Sequence, residues 1–205
     1  MGDQIAPLAS KVSTEAYPTY FEALNYPATA PDYLQSVASG STALINELNY
    51  LSTLCGGYGP AVIIAGHSQG ANVISDALGN GQWPQGPTLT AQAQNMISAV
   101  VFYGDPQYWP TDAWNAPYSP GGYGALQRNT LVAADLGTYR VWGWTQGSTN
   151  PNPTWVPKIR SYCATGDFFC QNNPGDGNFA IHNSYGKTTT TIAANWIRYM
   201  ISDFN

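Results

Sequence analysis

An α/β sandwich with a mostly parallel central sheet is the fold class this sequence predicts, and three observations predict it. Two apolar runs of strand length, residues 61–65 and 97–103, alternate with stretches of helical spacing. The first run passes without a linker through Gly66-His67-Ser68-Gln69-Gly70 into residues 71–78, which have helical spacing. The chain closes on a third such stretch, residues 188–204, with Ile192, Ala193, Trp196, Ile197, Met200 and Ile201 predicted on its apolar side. At 205 residues the chain fits one domain, residues 1–205, with a substantial core.

The elements follow in order. Residues 6–14 have helical character, and residues 18–26 read as a strand entering the turn region of Pro27 and Pro31. From Asp32 to Leu54, the spacing of Leu34, Val37, Leu44, Ile45, Leu48 and Leu51 predicts a long helix packed on a sheet, interrupted at Gly40-Ser41. Gly56-Gly57-Tyr58-Gly59-Pro60 ends it. The buried strand 97–103 ends in Gly104-Asp105-Pro106. Residues 107–156 form an irregular insertion rich in Trp, Tyr, Pro and Gly, within which 138–144 alternates like a strand; 158–163 is a further strand candidate. The insertion's Trp109, Trp114, Tyr118, Tyr123, Trp142 and Trp144 form either a lipid- or glycan-facing surface or an extra core over the sheet.

Composition narrows the function classes. Only 9% of residues are charged and the net charge is −5 with no basic cluster, which argues against a nucleic-acid partner. A surface this poor in charge suggests an extracellular or particle-associated protein. No apolar run approaches the roughly 20 residues a membrane-spanning helix needs, and no start resembling a signal peptide is present. Cys163 and Cys170 flank Asp167 at a spacing suited to a short disulfide loop. Cys55 is then left over, as a buried thiol or with a partner in missing sequence. Cys-x6-Cys without a further Cys or His cluster is poor metal-site spacing, so no metal is expected, and the serine chemistry read below implies no cofactor.

Strand, Gly-x-Ser-x-Gly, then helix is the sequence form of a nucleophile elbow. Its sharp turn holds Ser68 in a strained conformation and predicts that a side chain at Gly66 or Gly70 would collide with its surroundings. The helix starting behind Ser68 directs its N-terminal N–H groups at any negative charge formed there. A serine hydroxyl needs a base, and the base needs an orienting acid. Of the two histidines, His67 leaves the turn in a different direction from Ser68 and is a poor base, read as packing beside the strand. His182, in the loop before the last helix and downstream of the serine, is the remaining base. Asp167 is favoured as the acid because it follows a predicted strand inside the cysteine loop. Asp105 competes, although such a residue often only closes a turn. Asp176, in a Gly-Asp-Gly turn, is a weaker option, and Asp76 lies about two turns into the helix, out of reach.

Gly-His-Ser-Gln-Gly, then Cys163-Ala-Thr-Gly166-Asp167-Phe-Phe-Cys170, then His182-Asn-Ser-Tyr185-Gly186 resembles the cutinase family of serine esterases. Asn25-Tyr26-Pro27-Ala28 and the placement of Cys55 are similar to its actinobacterial members. The resemblance covers roughly residues 20–105 and 158–204. It implies a minimal three-layer α/β-hydrolase sandwich without a separate lid, cleaving carboxylic esters of lipids, polyesters or acylated glycans. It further implies Ser68 as nucleophile, His182 as base, Asp167 as orienting acid and the Gln69 N–H in the oxyanion hole. Phage lysin B enzymes, which cleave mycolyl esters, share this core and make a phage-type envelope esterase the alternative. The strand ending in an Arg-Gly-Thr/Ser-type turn, which supplies a second oxyanion donor in cutinases, has no counterpart here, and neither has the usual partner of Cys55. The chain is therefore expected to start just after that strand. A catalytically impaired binding protein is the non-enzymatic rival that this departure raises; the intact Ser-Asp-His set counts against it.

Overall fold

The structure, a computed structural model, describes residues 2–54, 60–79, 86–147, 149, 152–173, 175, 177 and 179–204. Cys55 and Asp176, weighed above, lie outside the described residues. In chain order the elements are α1 (Ala6–Val12), α2 (Tyr33–Leu54), β1 (Val62–His67), α3 (Gln69–Leu78), α4 (Ala91–Met96) and β2 (Ile97–Tyr103). They continue with α5 (Thr130–Leu136), β3 (Arg140–Gly143), β4 (Thr154–Pro157), β5 (Ile159–Tyr162), α6 (Tyr185–Thr188) and α7 (Thr190–Phe204).

Strands β1, β2 and β5 make a parallel sheet in the order β1-β2-β5. Every residue of β2 is buried, which its sequence ISAVVFY explains: a central parallel strand covered on both faces has no use for polar alternation. Its period of two divides the core. Val100 and Phe102 join Ile64 and Ile159 under Leu44, Leu48, Ile74, Leu78 and Val132 of α2, α3 and α5. Ala99, Val101 and Tyr103 face Leu8 and Val12 of α1 and Ala193, Trp196, Ile197 and Met200 of α7. Each large side chain so buried contributes about 1.5–3 kcal/mol before the cost of ordering it. The result is the helix–sheet–helix sandwich the alternation predicts.

Four expectations need correction. Residues 18–26 form no strand: the segment runs between Pro18 and Pro27 without sheet pairing. It is tied down by side chains instead, with Leu24 against the core and the Tyr26 ring over Gly40. Second, α2 is not interrupted at Gly40-Ser41. Both residues serve the crossing with α3: a Cβ on Gly40 would lie 2.8 Å from Val73 Cγ2, and Ser41 Oγ donates to the Val73 carbonyl at 3.0 Å. Close helix contact outweighs the roughly 1 kcal/mol that glycine costs a helix interior. Third, Ile192 is exposed rather than on the apolar side of α7, while Ala193, Trp196, Ile197 and Met200 are buried as expected. Fourth, the 107–156 aromatics do not form one extra core over the sheet. Trp114 is buried with the Arg128 guanidinium over its ring, whereas Trp109, Tyr118, Tyr123, Trp142 and Trp144 are exposed. The strand read at 138–144 is β3, but it pairs antiparallel with β4 in a separate ribbon, Trp142 against Trp155. Among the described residues no helix is long and apolar enough to cross a membrane.

Candidate active site

Ser68 joins β1 to α3 with φ 55° and ψ −121°, a conformation that costs an L-residue on the order of 1–3 kcal/mol. The surrounding ladder imposes it. The Ser68 N–H donates to the Tyr103 carbonyl at 2.9 Å, extending the β1–β2 pairing past His67, and the Ser68 carbonyl accepts from Ala71 N–H at 2.9 Å. Gly66 is required, because a Cβ there would sit 2.4 Å from the Gly70 carbonyl oxygen. The collision expected at Gly70 does not occur: the nearest group to a Cβ there is Tyr26 Oη at 3.8 Å, an ordinary contact. Gln69 is the first residue of α3, so its N–H lies at the positive end of a ten-residue helix.

Asp167 and His182 meet at the C-terminal end of the sheet. His182 Nδ1 lies 2.9 Å from Asp167 Oδ2 and 3.1 Å from Oδ1. With Nδ1 as the donor to the carboxylate, Nε2 keeps the lone pair a base needs. Asp167 is fully buried, and every hydrogen bond that it receives favours its charged form. Oδ1 accepts from Phe169 N–H at 2.7 Å and Cys170 N–H at 3.1 Å, and Oδ2 also accepts from Tyr185 Oη at 2.7 Å. Burial alone pushes this carboxyl upward, but the bond from His182, its charge, Tyr185 and the Cys170 amide together hold it below the ordinary carboxylate value. The Cys163–Cys170 disulfide closes the loop that presents it.

His67 links the two halves of the site. Its Nε2 lies 2.8 Å from the His182 carbonyl oxygen, which can only accept, so Nε2 carries the proton. The two imidazole rings lie 4.5 Å apart. Burial first, then the neighbouring His182, lowers the His67 pKa to about 4, so it stays neutral. His182 is thereby tethered to the residue next to Ser68, and packing beside the strand describes only part of what His67 does. Beneath His182, Gly104 has φ 56°, and a Cβ there would fall 2.8 Å from both Cε1 and Nδ1 of the imidazole. Phe169 lies 4.5 Å from the His182 ring and continues into a cluster with Phe168 and Phe179.

The competing acid is occupied elsewhere. Asp105 is fully buried in an ion pair with Arg128 and accepts the Gln107 N–H at 2.8 Å; Arg128 also holds Asp112 at 2.6 Å. Asp76 accepts from Asn72 within α3. Three contributors escaped the residue-by-residue reading: Tyr185, His67 as a tether, and Gly104. Tyr185-Gly186 stands in the quoted motif and Gly104 precedes the noted aspartate, but what each touches depends on elements far away in sequence. Among the described residues no cluster of His, Cys, Asp and Glu could hold a metal ion.

A strand–turn–helix elbow leading out of a parallel sheet covered on both faces is the architecture of an α/β hydrolase of the cutinase-like kind. The chain belongs to the cutinase family, a family of carboxylic ester hydrolases: the family model described as Cutinase matches residues 4–201. It is 30% identical over 186 residues to acetylxylan esterase 2 of Talaromyces purpureogenus, an alignment covering 84% of this chain and 69% of that protein. It is 27% identical over 204 residues to an acetylxylan esterase of Hypocrea jecorina, covering 92% of this chain and 59% of the relative's length. In three dimensions it resembles the catalytic core domain of acetyl xylan esterase from Trichoderma reesei, with a TM-score of 0.73 at 26% identity over 97% of this chain and 90% of that one.

Proposed function

We propose that this chain hydrolyses carboxylic esters through a Ser68–His182–Asp167 triad and an acyl-enzyme, and that its substrates are acylated glycans. The observation carrying the reading is the buried Asp167–His182 pair, tethered to His67, the residue that directly precedes the elbow serine. His182 Nε2 takes the Ser68 hydroxyl proton as Oγ bonds to the ester carbonyl carbon. The oxyanion is stabilised by the Gln69 N–H, and the C–O bond to the alcohol breaks as His182 returns the proton to that oxygen. Water, deprotonated by the same imidazole, then releases the acid and frees Ser68. Asp167 fixes the tautomer and balances the imidazolium charge. The relatives named acetylxylan esterases support the glycan assignment, and a disulfide on a chain with 9% charged residues supports work outside the cell.

The test is hydrolysis of p-nitrophenyl esters of increasing chain length, with acetylated xylan alongside, for the wild type and Ser68→Ala. Turnover that prefers acetyl and vanishes in the variant is expected. Equal turnover by Ser68→Ala would sink the mechanism, and preference for long acyl chains over acetyl would move the substrate to lipid or envelope esters.

A further inference from the structure

We propose that Ser36 and Thr29 are positioning residues of the oxyanion site, closing with the Gln69 side chain a hydrogen-bond ring that fixes where the Gln69 N–H points; the assignment rests on the reaction proposed above. Three residues from separate stretches of chain form this ring. The Gln69 Nε2 donates to the Thr29 carbonyl at 2.9 Å. Ser36 Oγ donates to Gln69 Oε1 at 2.9 Å and accepts the Thr29 N–H at 3.2 Å. The directions admit one solution. A carbonyl only accepts, so the Gln69 amide must present Nε2 to Thr29 and Oε1 to Ser36. The single Ser36 proton must then go to Oε1, which leaves its lone pairs for Thr29 N–H.

Thr29 spends both its backbone groups on the ring, and they hold the chain immediately after Ala28, an L-residue kept at φ 52°. Strain of this kind persists where the surroundings over-determine the backbone, and it gathers at functional sites. Ser36 is buried in the first turns of α2, which is itself locked against α3 through Gly40 and Ser41. The ring therefore anchors Gln69 to a packed helix that is not its own. Ser68 and Gln69 share the elbow peptide, and an oxyanion donor works only if aimed at the oxygen's transition-state position. A Gln69 side chain held at both ends resists rocking of that peptide.

The experiment compares Ser36→Ala and Gln69→Leu in the full chain, on p-nitrophenyl acetate and against a trifluoromethyl ketone, whose alkoxide adduct occupies the oxyanion position. Gln69→Leu keeps the backbone N–H and removes only the ring. Each variant is expected to lower kcat about tenfold, less than the 10²–10³ for a lost donor, with KM within about twofold and the ketone's Ki raised by the same factor as kcat falls. The double variant should lose no more than either single one. Unchanged kcat and Ki in the variants, beside a wild type whose turnover depends on Ser68, would overturn the ring and leave the reaction standing. So would a kcat loss with Ki unmoved, which marks general loosening. If Ser36→Ala does not fold, Gln69→Leu decides alone. A wild type without Ser68-dependent turnover sinks the reaction and this assignment together.

Discussion

On one side of Ser68 stand Asp167 and His182; on the other stand Thr29, Ser36 and Gln69. The proposed acid–base side is compact in sequence and closed covalently. Asp167 sits inside a disulfide loop, is bonded by two amides of that loop, and meets a histidine fifteen residues on. The opposite side has no covalent closure among the described residues. Its contacts are neutral hydrogen bonds: the two that hold the Gln69 amide span 33 and 40 residues, and the third, from Thr29 N–H to Ser36 Oγ, spans seven. The charged group needs the stronger frame. An ionised carboxylate without water must be solvated by fixed donors or it takes up a proton, whereas a backbone N–H needs only to be aimed.

This contrast can be broken at several points. The largest effect belongs to Asp167→Asn, which leaves the shape but favours the wrong His182 tautomer. A fall in kcat of about 10⁴ is expected, measured on p-nitrophenyl acetate; a fall below tenfold would show that the acid lies elsewhere. Next comes His67→Phe, which keeps a ring in the gap and removes the donor to the His182 carbonyl. A kcat loss of about tenfold with little change in KM is expected for a displaced base, and His67→Gln, which retains a side-chain N–H, should recover part of it. Equal kinetics for wild type and Phe variant would reduce His67 to packing.

Tyr185→Phe should act more weakly, through one donor to Asp167 Oδ2, costing about 1–1.5 kcal/mol. The folded Asp167 pKa is depressed, so its stabilisation is present above the unfolded value and is lost as pH falls through the folded one. Removing a donor raises the folded value, so acid unfolding followed by circular dichroism should begin at higher pH in the variant. The opposite side carries the reverse slope. Tyr33 of α2 donates to Asn72, which donates to Asp76. Burial first, then Asp105, raises the Asp76 pKa to about 7, against the lowering effect of Arg128. A raised carboxyl favours the protonated fold, so this contribution is full below the unfolded value of 3.8 and is lost as pH climbs to about 7. Asp76→Asn should therefore flatten the fall in stability between about pH 4 and 7 while leaving kcat at fixed pH unchanged. Denaturant melts at both pH values check this; parallel slopes in wild type and variant would remove Asp76 as the cause.

How much of this was legible depends on sequence distance. The α/β class, the β1–elbow–α3 unit and the buried strand β2 follow from local periodicity, because a strand covered on both faces and a helix with one apolar side leave patterns within ten residues. Residues 18–26 misled because a strand-like stretch between prolines reports at most an extended backbone, not the presence of a neighbouring strand. Gly40-Ser41 read as a break because a small residue in a helix looks the same whether it ends the helix or admits another one. β4 escaped notice because a four-residue edge of an exposed ribbon leaves no apolar pattern.

The sequence by itself determined the chemistry on offer: one serine in an elbow context, one usable histidine downstream and an aspartate between two cysteines. Each of these is written in adjacent residues, where covalent geometry limits the outcomes. The tertiary structure alone decided that Asp105 belongs to Arg128, that His67 holds the His182 loop, that Tyr185 reaches the buried carboxylate and that Ser36 meets Gln69. Those pairings depend on which helix packs where. Hydrogen-bond partners across 18 to 115 residues are chosen by the position of whole elements, and no local preference in the chain encodes them.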